Sequence, residues 1–188
     1  MGKIILASQS PRRADILKKM NLDMEVIPSP YQERTMADFS YAFVEDLAYQ
    51  KAAAVASCHS EALAPKNPYV IIGADTVVVL DGKILGKPKD EEDAFRMLKS
   101  LSGRKHSVVT AIAVIDSGEV RKNSTTSTVE FEDLTDEQIR AYIRDFKPFD
   151  KAGSYGIQEM PKGYIKSYSG SLENIIGLCP KALKELLY

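Results

Sequence analysis

The chain has 188 residues, of which 44% are hydrophobic and 27% charged, and its formal net charge is -1. This length suits one domain, residues 1–188, with enough apolar side chains for a sizeable core. Because 25 basic residues are balanced by 26 acidic ones, the overall charge recruits neither nucleic acid nor an acidic membrane surface. Any anionic ligand must therefore be held by a local cluster of cations.

The cysteines and the apolar runs predict a cytoplasmic protein that does not span a membrane. Cys58 and Cys179 are far apart and form no CxxC pair, which argues against a disulfide scaffold and a zinc ribbon. The apolar stretch after Met1 is too short for a signal peptide, and a later apolar run is interrupted by Asp75.

The chain opens with a strand, a turn and a helix. The apolar "KIILAS" leads into a helix that begins at Pro11, with Ser10 at the N-cap position. Arg12 and Arg13 fall in the first turn, where each added cation is disfavoured by about 0.3–1 kcal/mol. A bound anion is therefore expected there, with hydroxyl donors from Ser8 and Ser10. The alternative is that the arginines pair with a neighbouring carboxylate or extend into solvent.

The middle of the chain alternates strands and helices. The pattern predicts a second strand at "MEVIPS", a helical segment over residues 40–60, and a buried strand "YVIIGADTVVVL" that turns back at "DG". Further on come a helix at "DEEDAFRMLKSL", a long hairpin of "HSVVTAIAVID" and "EVRKNSTTSTVEFE", and a helix "DEQIRAYIRDF" that begins with a capping box of Thr135 and Gln138.

The C-terminal part is glycine-rich and loop-like from Asp150 to "YIKSY", a candidate strand, and ends in a helix at "PKALKELLY". Strands that alternate with helices, together with long antiparallel hairpins, predict a mixed-sheet α/β domain.

Asp75 is the first candidate for chemistry, because burying an ionised carboxylate in an apolar strand is costly unless cations or donors hold it. Its functional interpretation is a magnesium ligand or a general base for water. The alternative is an aspartate that caps a bend after Gly73. Glu33 is a candidate second carboxylate, although an exposed loop glutamate is the simpler interpretation.

Two lysines and a glutamine are further candidates. Lys87 follows Gly86 in a turn that lacks the spacing of a Walker A loop. Lys51, on a helix among alanine and valine residues, either extends to water or reaches an internal anion. In "FDKAGSYGIQ" the glycines permit close approach, and Gln158 offers the donor and acceptor that a nucleobase edge requires, unless the segment is an ordinary tight loop.

Several of these stretches, in order, resemble the signature of the Maf proteins, a family of nucleoside triphosphate pyrophosphatases. They are "LASQSPRR", Glu33, "LAYQKA", "GADTVV", "LGKP", "LSGRKHSVVTA", "DKAGSYGIQ" and "NIIGL". The resemblance runs from Ile4 to Pro180 and implies the inosine-triphosphatase-like α/β fold: an elongated mixed sheet flanked by helices, two lobes with a central cleft, commonly in a homodimer. The stretches "SGSLENIIGLCP" and "EMPKGY" depart from the usual family sequence, which has a glycine and small residues after the glutamine.

The resemblance implies hydrolysis of a nucleoside triphosphate to the monophosphate and pyrophosphate with Mg²⁺ or Mn²⁺. "GADT" and the glutamine after "YGI" resemble the branch that acts on dTTP and UTP. Asp75 matches the proton acceptor, and Lys51 and Lys87 are expected to assist catalysis. Asp75 and Glu33 are expected to hold the metal. The expected substrate-binding residues are Ser8, Ser10, Arg12, Arg13, Thr76 and Gln158. The rival interpretation is a nucleotide-sensing or septum-formation regulatory protein without significant turnover.

Overall fold

A computed structural model describes residues 2–32, 38–58 and 69–188. In these ranges the strands are β1 (Lys3–Leu6), β2 (Met24–Val26), β3 (Tyr69–Leu80), β4 (Lys83–Leu85), β5 (Lys105–Asp116), β6 (Glu119–Phe131) and β7 (Ile165–Ser169). The helices are α1 (Pro11–Lys19), α2 (Tyr41–Cys58), α3 (Glu91–Leu101), α4 (Asp136–Phe146), α5 (Leu172–Ile176) and α6 (Pro180–Leu187).

The strands form one mixed sheet in the order β2-β1-β3-β5-β6-β7, with β4 paired to the C-terminal end of β3. The pairs β1–β2 and β1–β3 are parallel, whereas β3, β5, β6 and β7 pair antiparallel in sequence. Helices lie against both faces. The predicted mixed-sheet α/β fold is therefore confirmed.

The central strand β3 contributes to separate core clusters along its length. On one face Val70 and Ile72 pack with α1 and α6, whereas Val78 and Leu80 pack with α3 and α4. Because side chains alternate along a strand, Thr76 lies on this same face, between the two clusters. On the opposite face the apolar residues of β3 pack against α2. The polar residues of β3 thus occur where the core changes from one cluster to the next.

Helix α2 lies very close to β3 at Gly73. A Cβ atom at Gly73 would lie 2.2 Å from the carbonyl oxygen of Ala48 and 2.8 Å from the backbone nitrogen of Ala52. Only a residue without a side chain allows this approach. The contact brings Lys51, which directly precedes Ala52 on the helix, within reach of Asp75 on the strand.

Most predicted elements are confirmed, and the capping box of Thr135 and Gln138 is present at α4. Strand β2 ends at Val26, shorter than predicted, because the prolines that follow cannot donate to a ladder. The loop-like pattern does not predict α5, which Ser171 caps by accepting a hydrogen bond from the Asn174 N–H. Within residues 2–32, 38–58 and 69–188, every helix is either too short or too polar to span a lipid bilayer.

Candidate active site

One cleft of about 840 Å³ collects the candidate residues over the middle of β3. The N-terminus of α1, the helix α2, the segment after β4 and the loop 150–158 converge there. The predicted site residues that line it are Ser8, Ser10, Arg12, Arg13, Lys51, Asp75, Thr76, Lys87 and Gln158. Glu33 lies outside the described residues. The structure therefore brings these side chains together, while their chemical roles stay predictions.

The cleft is positively charged although the whole chain is not. Among the described residues that line it, six are cationic: Arg12, Arg13, Lys51, Lys87, Lys89 and Lys151. Three are acidic: Asp75, Asp93 and Asp150. A concave surface with an excess of one charge concentrates ligands of the opposite charge. The cleft thus provides the local cluster of cations that the balanced composition requires for anion binding.

Asp75 and Lys51 form a buried ion pair in this cleft. The two residues are 6% and 8% exposed, and Lys51 Nζ donates to Asp75 Oδ1. Burying either charge without the other is strongly unfavourable, so the pair explains how an apolar strand carries a carboxylate. Lys51 therefore reaches an internal anion rather than extending only to water. Asp75 pairs with Ala111 within the continuous β3–β5 ladder and does not cap a bend.

Arg13 is buried and tied to the surrounding backbone. Its Nε donates to the Gly177 carbonyl at 2.8 Å, and one terminal nitrogen donates to Ser8 Oγ at 3.2 Å and to the Ala74 carbonyl at 2.9 Å. The other terminal nitrogen donates to Thr76 Oγ1 at 3.0 Å. These bonds join α1 to β3 and to the end of α5. Arg13 thus brings positive charge to the cleft while its guanidinium holds the cleft wall together.

Thr76 extends this hydrogen-bonded wall across the sheet. Its hydroxyl lies 2.9 Å from Thr110 Oγ1, and Thr110 donates to the Asn174 carbonyl at 2.8 Å. Because the single Thr110 hydroxyl proton goes to Asn174, Thr76 is the donor to Thr110. A continuous series of hydrogen bonds therefore runs from α1 through β3 and β5 to α5.

The N-terminus of α1 faces the cleft without a side-chain cap. Ser10 occupies the predicted N-cap position, but its hydroxyl makes no capping hydrogen bond. The Ser10 N–H instead donates to Ser8 Oγ at 3.2 Å. An N-terminus of this kind presents backbone N–H groups and a positive dipole end to an anion. The geometry is therefore suited to a phosphate group.

Arg12 differs from its neighbour because it extends along the cleft to the loop 150–158. Its side chain is 24% exposed and donates to Asp150 Oδ2 at 3.0 Å. Lys151 Nζ donates to the other oxygen, Oδ1, at 2.8 Å. Partial burial would raise the pKa of the Asp150 carboxyl, but Lys151 and Arg12 outweigh this effect and hold the pKa below its ordinary value.

The loop 150–158 is held by buried aromatic residues. Tyr155 Oη lies 2.7 Å from His106 Nε2 on β5, and the Gly156 N–H donates to Tyr142 Oη at 3.1 Å. Gly153 has φ 65° and lies so close to Val78 that a Cβ would be 2.8 Å from its Cγ2. Burial lowers the pKa of His106 to about 4. These contacts fix the loop against the sheet.

The sequence pattern gives no role to Lys151, which lines the cleft and is only 8% exposed. The sequence does contain a signal for a role of Lys151: it follows Asp150, of opposite charge, and precedes two glycines. Lys87 and Gln158 are exposed residues at the mouth of the cleft. The Gly153 N–H donates to the Gly86 carbonyl at 3.0 Å, so the segment carrying Lys87 and the loop carrying Gln158 are joined.

Carboxylates are sparse in the described part of the cleft. In residues 2–32, 38–58 and 69–188, no three His, Cys, Asp or Glu side chains are grouped so that they could hold a metal ion. Asp75 is a hard oxygen donor of the kind that Mg²⁺ prefers. A single buried carboxylate fits an ion whose other ligands come from water and from a phosphate ligand.

Known proteins resemble this chain over its full length. Residues 3–188 match the family model described as Maf-like protein. A dTTP/UTP pyrophosphatase of Thermosipho africanus is 42% identical over 186 residues, which cover 99% of this chain and 92% of the relative. Relatives with the same name from Acetivibrio thermocellus and Ruminiclostridium cellulolyticum are each 43% identical, covering 100% of this chain and 94% and 95% of the relatives. The chain therefore belongs to the family of Maf-like proteins, as its motifs predict.

Proposed function

We propose that the chain hydrolyses nucleoside triphosphates, with dTTP and UTP as its main substrates, to the monophosphate and pyrophosphate. The observation that carries the proposal is the cleft itself, which six cations line together with the buried carboxylate of Asp75 although the chain has a net charge of -1. The names of the full-length relatives supply the reaction and the two nucleotides.

The triphosphate binds at the end of the cleft formed by α1 and β3. The uncapped N-terminus of α1 offers backbone N–H groups, and Arg12 exchanges its contact with Asp150 for phosphate oxygens. The forked guanidinium suits two oxygens of one phosphate group. Lys87, at the mouth of the cleft, contributes a further charge. Arg13 keeps its protein contacts and holds the strand and the helix at the correct separation.

Asp75 accepts the proton of the attacking water. Water attacks the α-phosphorus in line with the bond to the leaving group, that bond breaks, pyrophosphate leaves, and the water proton goes to the carboxylate. Lys51 turns its ammonium group from Asp75 to a phosphate oxygen, which leaves the carboxylate available for the proton. The buried position of the pair keeps bulk water from competing for these contacts.

A divalent cation, Mg²⁺ or Mn²⁺, completes the charge balance in this proposal. Asp75 would hold it, with Glu33 as the second predicted ligand, and phosphate oxygens and waters would fill the remaining positions. Mg²⁺ is commonly bound in this manner, through one or two carboxylates and the phosphates of a substrate. When bound, the ion supplies Lewis-acid stabilisation of the phosphate charge.

The base lies at the other end of the cleft, against the loop 150–158. Gln158 lines this end, and its amide can pair with the acceptor–donor–acceptor edge of uracil or thymine.

The same proposal includes a homodimer in the cytoplasm. Both cysteines are free thiols, as is usual in a reducing compartment.

Incubation of the purified chain with UTP, dTTP, CTP, ATP and GTP, with Mg²⁺ or Mn²⁺, tests this function. Pyrophosphate and monophosphate are expected in equal amounts, with the largest kcat/KM for UTP and dTTP. Release of orthophosphate instead would contradict attack at the α-phosphorus. Binding of UTP without any turnover would favour the rival nucleotide-sensing role.

A further inference from the structure

Gln158 is connected to a buried lysine through the residue that follows it. Gln158 Nε2 donates to Glu159 Oε1 at 3.5 Å, and Lys151 Nζ lies 3.1 Å from Glu159 Oε2. The carboxylate of Glu159 therefore lies between an amide and an ammonium group. The mechanism proposed above gives no role to Glu159, and the cleft-lining residues include Gln158 but not Glu159.

We propose that Glu159 is a positioning residue that fixes the orientation of the Gln158 side-chain amide and so selects uracil and thymine over cytosine. The inference rests on the proposed function. An ionised carboxylate only accepts hydrogen bonds, so the amide end that faces it must be the NH₂ group. The reverse orientation would place the amide carbonyl against a carboxylate oxygen. The carbonyl of Gln158 is consequently directed away from Glu159 and is available to the ligand.

The carboxylate is itself held in place. Lys151 is 8% exposed and donates to Asp150 Oδ1 at 2.8 Å as well as contacting Glu159. A Cβ atom at Gly156 would lie 3.0 Å from Gln158 Nε2, 3.1 Å from Lys151 Cε and 3.2 Å from Glu159 Oε2. The three side chains thus converge over one glycine, and a larger residue at position 156 would push them apart. The positive charge of Lys151 is therefore shared between the carboxylates of Asp150 and Glu159.

A fixed amide carbonyl discriminates between pyrimidines at N3. Uracil and thymine carry a hydrogen at N3, which can donate to the carbonyl oxygen of Gln158. Cytosine has a lone pair at N3, which faces the same oxygen without a proton between them. An amide able to rotate by 180° could present its NH₂ group to cytosine instead. Glu159, the first residue of the "EMPKGY" stretch that departs from the family pattern, therefore adds selectivity against CTP.

Steady-state kinetics with UTP and CTP test the inference in the wild type and in Glu159→Gln. A glutamine at this position can donate as well as accept, so the Gln158 amide is no longer fixed. The kcat/KM ratio of UTP to CTP is expected to fall by about tenfold, mainly through a gain for CTP, which is a typical range for one polar contact. Lys151→Gln should shift the ratio in the same direction. The matched control is Glu137→Gln, an exposed glutamate on α4 outside the cleft, and it should leave the ratio unchanged.

An unchanged ratio in folded Glu159→Gln would overturn the inference, as would an equal loss for both nucleotides, since a merely structural role lowers them together. Calorimetric binding of the non-hydrolysable α,β-methylene analogues of UTP and CTP separates this inference from the proposed function. If the wild type releases no pyrophosphate, the proposed function fails. A preference for the UTP analogue that Glu159→Gln abolishes would still support the positioning role, and a preference that persists would refute it.

Discussion

The two ends of the cleft are built from different kinds of structure. At one end Asp75 and Lys51 lie on a long strand and a long helix, and both are less than one-tenth exposed. At the other end Gln158 is exposed on a short 3-10 turn, Ile157–Glu159. Its amide donates to Glu159, which forms an ion pair with Lys151. Groups that react must be held within a fraction of an ångström, and regular elements provide this better than loops. In the proposed function, a change at the loop end therefore alters the nucleotide preference without disturbing Asp75 and Lys51.

Arg12 and Arg13 show the same difference within two adjacent residues. Arg13 lies at the end formed by the strand and the helix, where its guanidinium donates to Ser8, Ala74, Thr76 and Gly177, whereas Arg12 forms an ion pair with Asp150 in the loop. Adjacent positions on a helix point about 100° apart, so one side chain can enter the core while the next faces the cleft.

The largest effect is expected from Asp75→Asn, which removes the proposed proton acceptor from strand β3. We expect kcat with UTP and dTTP to fall by about 10²- to 10⁴-fold, the usual contribution of general base catalysis. All nucleotides should be affected alike, because in the proposed mechanism Asp75 acts at the phosphate, which all of them share. Circular dichroism and thermal melting serve as the control for folding. Pyrophosphate release at the wild-type rate by a folded Asp75→Asn would remove Asp75 from the mechanism.

The two arginines offer a matched pair of variants. Arg13→Ala removes the buried donor to the Ala74 and Gly177 carbonyls and to the Thr76 hydroxyl, and should lower the free energy of unfolding by about 3 kcal/mol. Arg12→Ala removes a partly exposed ion pair and should cost less than about 1 kcal/mol, while raising KM for UTP. Urea denaturation measures the first effect and steady-state kinetics the second. Equal stability losses in the two variants would contradict the division of roles.

The buried His106, which lies against the loop 150–158, predicts that the free energy of unfolding depends on pH. Its pKa falls from an ordinary value of 6.5 to about 4 on folding because burial disfavours the charged imidazolium. The unfolded chain therefore binds the proton first as the pH drops, so stability is fully present above pH 6.5 and is lost between pH 6.5 and pH 4. The total loss is about 3 kcal/mol. Urea denaturation across this range should give a steeper decline for the wild type than for His106→Gln, and parallel declines would be inconsistent with a buried neutral imidazole.

Gln158→Ala should produce the smallest change in rate and the clearest change in preference. Loss of one polar contact to the base is expected to lower kcat/KM for UTP by about tenfold while affecting CTP less. The contrast with Asp75→Asn, which affects all nucleotides equally, tests whether the two ends act separately. Unchanged relative kcat/KM values across UTP, dTTP and CTP would argue against base reading by Gln158.

Local sequence patterns are sufficient to predict much of the fold. The apolar run that forms β3, the paired strands of the long hairpin and the capping box of α4 all depend on neighbouring residues, and the structure confirms each of them. Helix α5 has only five residues, so it carries no periodic apolar pattern. Its stability comes from the Ser171 cap and from tertiary contacts that the sequence does not reveal.

The partners of the candidate residues could not be predicted in the same way. Arg12 and Arg13 are adjacent in one motif, and the acceptors that Arg13 meets, among them the Ala74 and Gly177 carbonyls, become visible only in the fold. The proposed role of Glu159 likewise depends on its ion pair with Lys151, which lies eight positions earlier in the chain. The path of the loop brings the two side chains together. Such pairings are set by the path of the backbone rather than by local sequence.

Gly73 carries no functional group, yet it determines whether the acid and the amine in the cleft can meet. With a hydrogen in place of a methyl group, the helix backbone rests directly on the strand. A larger residue would push the helix outward by roughly the diameter of the atoms it adds and would leave the lysine short of its partner. The contact between Lys51 and Asp75 thus depends on a position that contributes no side chain of its own.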